Sequence, residues 1–554
     1  MRNPTRPGRP RPVSPDRLLA RRLLALSAAT AAVALLAACA GGSSGSGGGG
    51  TSAAPVAAGP GGTVTVRSID DVDTFNPATT AAPNMSVQAI ELTYDRLLYL
   101  SPGGKLEPYL ATSWKTTPNG AVLRIRKGVT CSDGTPMTPS VIADSLRYAF
   151  SPSTHGPYTS YVTGTAGAKS VTADDTAGTV TITLKAPYNA LLTALATPYV
   201  GSIICHAGVA HPASLNAAPD GSGPYVLDKS RSVRGSTYVF TLRKNYNWGP
   251  GGWSAKTAGV PTTIIDRVIT DDTTAANLLT TGQVDIAPIF GINEKRIEAN
   301  RALWNFTTQA LQLGSWGVVF NQNKPRAGAD PKVRHAIYLA LQGSAMVKAA
   351  FSSLGVQFST LATPNMQCYN KDVGRLTPGF DPSQARAILK SDGYTPGPGG
   401  VMTKNGQPLK LKIVMWNTTG QAGDYMQQAL QNIGVQSTVQ ITDIDTWITA
   451  LFSTKNYDLT VYSYYSGLPN PVIFPSQDSS MSINDPVYYS LSAKAEAEPG
   501  ATQCQAWDKA LEHAEANYDV KPIGVSRNVW FAKSWKFAAP FDVIIDPFTL
   551  KKTA

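Results

Sequence analysis

The sequence predicts an α/β protein of more than one lobe, built for export. Three observations point there. Short stretches of alternating polar and apolar residues are interleaved with amphipathic helical stretches along the chain. The body beyond residue 62 is about 490 residues long, more than one hydrophobic core organises, so two or three lobes are expected. The first 22 residues carry seven arginines and are followed by an apolar run over 23–38, the pattern of an export signal.

That run ends in Leu36-Ala37-Ala38-Cys39. A cysteine directly after Leu-Ala-Ala resembles the lipobox of bacterial lipoproteins. The resemblance implies cleavage before Cys39, diacylation of its thiol, and anchoring on the extracytoplasmic face of the cell membrane. A short transmembrane helix is the alternative, but sixteen apolar residues fall below the roughly twenty that span a bilayer. Arg21-Arg22 leaves the Sec and twin-arginine routes both open. Residues 40–62 are almost entirely Gly, Ser, Ala and Pro; such a segment buries too little apolar surface to offset its ordering entropy and reads as a tether. Gly41-Gly42-Ser43-Ser44-Gly45 matches the serine-hydrolase pattern G-x-S-x-G, but a linker is not the strand-turn-helix that this chemistry needs.

The formal charge of +11 is misleading. Seven arginines against Asp16 in the signal supply six of those charges, which leaves about +5 for the body. No basic cluster with interleaved aromatics follows, so nucleic-acid binding is not expected. Besides Cys39 there are Cys131, Cys205, Cys368 and Cys504. Outside the cytoplasm an even number suggests disulfides, and four cysteines allow three pairings. Cys131–Cys205 with Cys368–Cys504 is favoured because each pair stays within one half of the chain; free buried thiols are the alternative.

Residues 63–67 read as a strand, broken by Asp73-Thr74-Phe75-Asn76-Pro77. A helix-like stretch ends at Tyr94-Asp95-Arg96. Asn119-Gly120 marks a hairpin. Thr138-Pro139 reads as helix cap and first helical residue, with Val141, Ile142, Leu146 and Ala149 on the apolar face. Residues 178–184 alternate as a strand. Asp330-Pro331 and Asp381-Pro382 start further helices whose core faces are Val333, Ala336, Ile337, Ala340 and Leu341 in the first, and Ala385, Ile388 and Leu389 in the second.

Six segments, in order, resemble the extracellular solute-binding proteins of the peptide/nickel class, family 5. They are LRIRKGVTCSDGTPMTPSVIADSLRYAF at 123–150, GSGPY at 221–225, LRKNYNWGPGGW at 242–253, TTAANLLTTGQVDIAP at 273–288, FNQNKPRAGADPKVRHAIYLALQ at 320–342 and FDPSQARAILKSDGY at 380–394. The resemblance implies a two-lobed, type II periplasmic-binding-protein-like fold with an inserted domain, a hinge of two crossing segments and a ligand cleft between the lobes. Mapped here, 1–38 is signal peptide and 39–62 tether. Residues 63–100, 211–311 and 526–554 form the first lobe, 101–210 the inserted domain, and 312–525 the second lobe with the crossing segments.

The resemblance also implies where ligand sits. Residues 457–474 resemble the strand and loop that reach it from the second lobe, which makes Tyr462, Tyr464, Tyr465 and Asn470 candidate contacts. Thr79, Thr80 and Met85, after the first strand, are candidates from the first lobe, and Trp316 lies near the crossing segments. Peptide-binding members carry W-x-x-D in that loop, the acid pairing with the ligand's amine. Tyr464 stands at the Trp position, Gly467 at the acid position and Asn470 at a second acid position. A buried ammonium without a carboxylate costs several kcal/mol, so a free-amine peptide requires another counter-ion; Asp443 and Asp445 are near only in sequence.

His155, His206, His211, His335 and His513 form no zinc-type motif, so no metal site and no cofactor is expected. No Ser/His/Asp set stands in a recognisable context and no phosphate loop is present, so the chain is not expected to be an enzyme. The expected function is that of a monomeric, lipid-anchored receptor that captures a solute by hinge closure and passes it to the permease subunits of an ABC importer. Oligopeptide is the first expectation for the solute, with oligosaccharide or metal chelate as alternatives. An extracellular hydrolase or a regulatory lipoprotein on the same fold are the competing classes.

Overall fold

The computed structural model describes residues 59–553 except 81–84, 103, 291, 300–304, 309–314, 352–354, 365, 367, 464–481, 499, 527–528 and 541–543. Two large mixed sheets organise the body. The seven-stranded sheet runs, in spatial order, Asn305–Thr308, Val529–Ala532, Ile286–Pro288, Gly62–Ser68, Pro261–Val268, Thr237–Leu242 and Tyr225–Leu227. The six-stranded sheet runs Gly355–Val356, Val520–Ser526, Trp316–Phe320, Leu459–Ser463, Lys410–Trp416 and Gln436–Thr442. A four-stranded antiparallel sheet (Ala111–Thr117, Gly120–Ile125, Thr179–Leu184, Ala168–Asp174) forms a third layer.

The chain passes from the seven-stranded to the six-stranded sheet between Thr308 and Trp316, and returns between Ser526 and Val529. Two lobes joined by two strand crossings follow directly from that connectivity. Each lobe has its own core. In the six-stranded sheet Val318 and Phe320 bury on one face against Val333, Ile337 and Met426. Val319 buries on the other against Trp447, Trp507 and Leu511. This is the two-residue alternation expected of a strand covered on both sides. No helix among the described residues is long and apolar enough to cross a membrane.

Local chemistry explains the helix starts. Thr138 accepts a hydrogen bond from the Val141 amide at 3.3 Å, with Pro139 in the first helical turn. Asp330 accepts from Lys332 N at 2.9 Å and Asp381 from Gln384 N at 2.8 Å, each followed by proline. These side chains satisfy amides that no helical carbonyl reaches. At the hairpin, Gly120 has φ +152° and a Cβ there would lie 2.0 Å from the Ile182 carbonyl oxygen, so only glycine fits.

The GSGPY turn is also a packing device. Gly223 N donates to Thr93 O at 2.9 Å, and a Cβ at Gly223 would sit 2.4 Å from the Thr93 carbonyl carbon. Ser222 Oγ, Tyr109 Oη, Tyr246 Oη and Trp248 Nε1 all donate to the buried Asp95 carboxylate. Burial pushes Asp95 up, and those four donors work against the shift. Cys131 is bonded to Cys205, and Cys368 to Cys504.

Candidate functional site

Aromatic rings collect at one end of the six-stranded sheet. Trp416 ends the strand Lys410–Trp416, Trp316 begins Trp316–Phe320, and Tyr462 lies one residue before the end of Leu459–Ser463. Trp447, on the helix Ile444–Ile448, completes the row. The rings are near parallel: Trp316 to Trp416 at 6.5 Å and 17°, Trp416 to Trp447 at 6.0 Å and 26°, Trp447 to Tyr462 at 5.3 Å and 27°. Phe351 and Phe452 close the two ends edge-on, and Trp447 Nε1 is fixed by Thr460 Oγ1 at 2.9 Å. The row lies at the carboxyl ends of two parallel strands, where open α/β sheets place ligands.

A second set of rings lies on the chain that precedes the first crossing. Tyr158 precedes the short helix Thr159–Thr163, Tyr161 lies within it, and Tyr158 packs on Tyr199 at 4.7 Å. Burial pushes the phenols of Tyr158 and Tyr161 up, and the neighbouring Tyr462 phenol pushes both the same way. Burial alone raises Tyr462, to about 12. All three side chains are half-buried, so their faces remain partly open. The exposed Asp73 also acts on Tyr158. It accepts from Thr74 N at 2.6 Å, Thr80 Oγ1 at 2.9 Å and Ser86 Oγ. The loop that carries Asp73 packs against this tyrosine segment: a Cβ at Gly156 would lie 2.5 Å from Ala78 O.

The two sides touch directly beside the rings. Thr165, after the Tyr161 helix, donates from its backbone N at 3.1 Å and from Oγ1 at 2.9 Å to Glu496 Oε2. Asn189 Nδ2 donates to Glu498 O. Glu496 belongs to Pro486–Ala497, a helix of the second-lobe core through Tyr488 and Ala495.

The residues expected from sequence divide accordingly. Trp316 and Tyr462 lie in the ring row. Thr79 is half-buried in the loop of Asp73, whereas Thr80 is fully buried and holds the Asp73 carboxylate. Met85 is a correction: it is fully buried beneath the loop, packs with Val66 and Phe75, and has its Sδ 2.7 Å from Ser68 Oγ. A side chain sealed in that core offers nothing to a solute. Tyr464, Tyr465, Asn470 and Cys39 lie outside the described residues. Sequence reasoning missed Tyr158, Tyr161, Trp416, Trp447 and Asp73; an aromatic at a strand's end was the one signal available, and only for Trp416. Among the described residues no three His, Cys, Asp or Glu side chains converge to hold a metal ion.

Two lobes, two crossings and facing rings between them define a two-lobed solute-binding protein of the periplasmic type. Residues 105–485 match the family described as bacterial extracellular solute-binding proteins, family 5 Middle, and the chain belongs to that family. The glutathione-binding protein GsiB of Escherichia coli (strain K12) is 27% identical over 363 residues, 64% of this chain and 64% of that protein. The chain thus spans 64% of the length of the curated relatives it matches first. A substrate binding protein from Microbacterium hydrocarbonoxydans, solved with 4-hydroxybenzoate hydrazide, is 27% identical with a TM-score of 0.74, covering 89% of this chain and 100% of that one. The oligopeptide-binding protein AppA from Bacillus subtilis, solved with a nonapeptide, has a TM-score of 0.75 at 17% identity over 90% of this chain and 100% of that one. At that identity AppA shares the fold alone.

Proposed function

We propose that this chain is a receptor anchored at Cys39 on the extracytoplasmic face of the membrane, which captures a small solute between its lobes and delivers it to the permease of an ABC importer. One observation carries the reading: Thr165, just past Tyr158 and Tyr161, hydrogen-bonds Glu496 across the two crossings, which brings those tyrosines to the side that holds Tyr462. A solute seated there touches both lobes only when they are closed. Its binding energy therefore shifts the open–closed equilibrium toward closed, and the closed form is what a permease would recognise.

The solute we favour is a short peptide. Rings hold amide planes and apolar side chains at low entropy cost. Asp73, exposed beside Tyr158 and braced by Thr80 and Ser86, offers a carboxylate for a free amine. The partly open rings of Trp416 and Tyr462, backed by the buried Trp316 and Trp447, favour a second reading, a solute with a planar aromatic or sugar ring. The Microbacterium relative, solved with 4-hydroxybenzoate hydrazide, lends support to that second reading.

Native mass spectrometry of protein purified from its own host tests the proposal. A bound mass of a few hundred daltons, lost on unfolding and resolving into short peptides, is the expected result. An aromatic or carbohydrate mass would select the second reading. Absence of any adduct, together with no thermal shift from peptide, aromatic or sugar libraries, would overturn solute capture.

A further inference from the structure

We propose that a lysine-bearing hairpin near the C-terminus is the face that rests on anionic lipid headgroups, beside the point where the body meets its tether. The inference builds on the lipid anchor proposed above. The hairpin is Trp535–Lys536 paired antiparallel with Lys551–Lys552. Lys533 precedes it, and Thr553 N donates back to Ser534 O at 2.8 Å. Lys552 N donates to Gly259 O at 2.8 Å, and Gly259 N donates to Gly59 O at 2.8 Å. One residue thus ties the hairpin to the first described residues of the body. A Cβ at Gly61 would lie 3.1 Å from the Trp535 ring, so the chain runs in directly over this hairpin. Lys256, three residues before Gly259, adds a fifth positive charge to Lys533, Lys536, Lys551 and Lys552.

Lys256, Lys533 and Lys552 are exposed, and Lys536 and Lys551 half-buried. Among the described residues two acids stand near. Asp285 is half-buried, accepts from Thr65 N and feels Lys552. Glu107 shares with Lys551 a groove of about 320 Å³. Among the described residues, no carboxylate lies at ion-pair distance from Lys256, Lys533, Lys551 or Lys552. Among the described residues the face is therefore net positive. Residues 40–58 carry no charge, so among the described residues these lysines supply the positive charge beside the tether.

Each lysine at an anionic surface adds attraction that falls off within a Debye length of about 8 Å at physiological salt. A handful of lysines binds a free protein weakly. On a protein already held by acyl chains, the same attraction only has to choose which side faces down. The hairpin does so because it sits at the attachment point, and the rest of the body is then turned in a fixed sense above the membrane.

The test uses acylated protein reconstituted in vesicles, with a fluorophore on Ala258→Cys, an exposed position next to Gly259, and a quencher on lipid headgroups. In vesicles containing phosphatidylglycerol, quenching should exceed that in pure phosphatidylcholine by about threefold or more, and high salt should abolish the difference. The triple variant Lys533→Glu, Lys551→Glu, Lys552→Glu should lose it too, with an unchanged melting temperature and solute affinity. Equal quenching in the two vesicles, or a difference the triple variant leaves intact, overturns the proposal. Flotation with neutral vesicles reads the anchor separately. If the protein does not float there, the anchor is wrong, and the comparison of wild type and triple variant on anionic vesicles still reads the lysines.

Discussion

Thr165 and Glu496 join the two sides of the cleft: two donors of one threonine converge on a single carboxylate oxygen, at 3.1 and 2.9 Å. The carboxylate is 5% exposed and lies in the last turn of its helix, where the helix dipole disfavours negative charge. Burial pushes Glu496 up and the two Thr165 donors pull it down. The pair ties the two sides together as they stand here, so it stabilises this arrangement independently of solute.

Thr165→Ala leaves the carboxylate half satisfied in a buried place, a cost of about 1–2 kcal/mol to closure. Solute affinity measured by calorimetry should fall by roughly five- to thirtyfold, and solution scattering should show a larger radius for the free protein. The pH dependence has a definite sign. A carboxyl whose pKa is higher when closed favours closure at low pH and loses that contribution as pH rises through the closed-state value. Glu496→Gln should flatten the corresponding slope of affinity against pH.

The ring row predicts a graded series. Tyr462→Ala removes a ring stacked on Trp447 and edge-on to Phe452, and Trp416→Ala removes the centre of the row. Each should weaken solute binding about tenfold by calorimetry, since aromatic contacts contribute about 0.5–1.5 kcal/mol beyond area burial. Tyr462→Phe should retain most of the affinity. Equal, negligible losses for both alanine variants would move the site elsewhere.

A buried acid pair just before the strand Val520–Ser526 predicts a stability profile. Asp519 is pushed up to about 9, by burial first and then by Asp485. Asp485 is instead held below its usual value, where hydrogen bonds from Asp519, Tyr488 N and His513 outweigh its burial. The folded protein keeps the Asp519 proton over a range where the unfolded chain has released it. Stability from this group is therefore complete below about pH 4 and drains away as pH rises toward 9. Asp519→Asn mimics the protonated acid and should flatten that decline in urea unfolding followed from pH 5 to 9. An unchanged profile would mean the proton is not held there.

The Cys131–Cys205 bond closes a loop of 74 residues. Limiting that loop in the unfolded chain stabilises the fold by about 4 kcal/mol in the chain-entropy account. Replacing both cysteines with alanine should lower the urea midpoint of the lobe that contains them while leaving the ring row spectroscopically unchanged.

The scaffold was legible because its signals are local. Thr138-Pro139, Asp330-Pro331 and Asp381-Pro382 each write a helix start into adjacent residues, and the caps form as those residues dictate. The family resemblance rested on such segments. The candidate site was legible in part. Trp316 and Tyr462 belong to strands that the family pattern locates, whereas Tyr158 and Tyr161 meet Tyr462 across some three hundred residues of chain, a separation no periodicity encodes. Met85 shows the converse. An apolar residue after a strand fits a cleft wall or a core equally well, and only the packing of Val66 and Phe75 around it decides.

The two disulfides have a consequence for motion. Cys131–Cys205 lies wholly before the first crossing and Cys368–Cys504 wholly between the two. Neither bridge straddles a pivot. Disulfide formation therefore stiffens each half on its own and leaves the bending axis unshackled, so a change in redox conditions would alter the durability of this protein without altering its stroke.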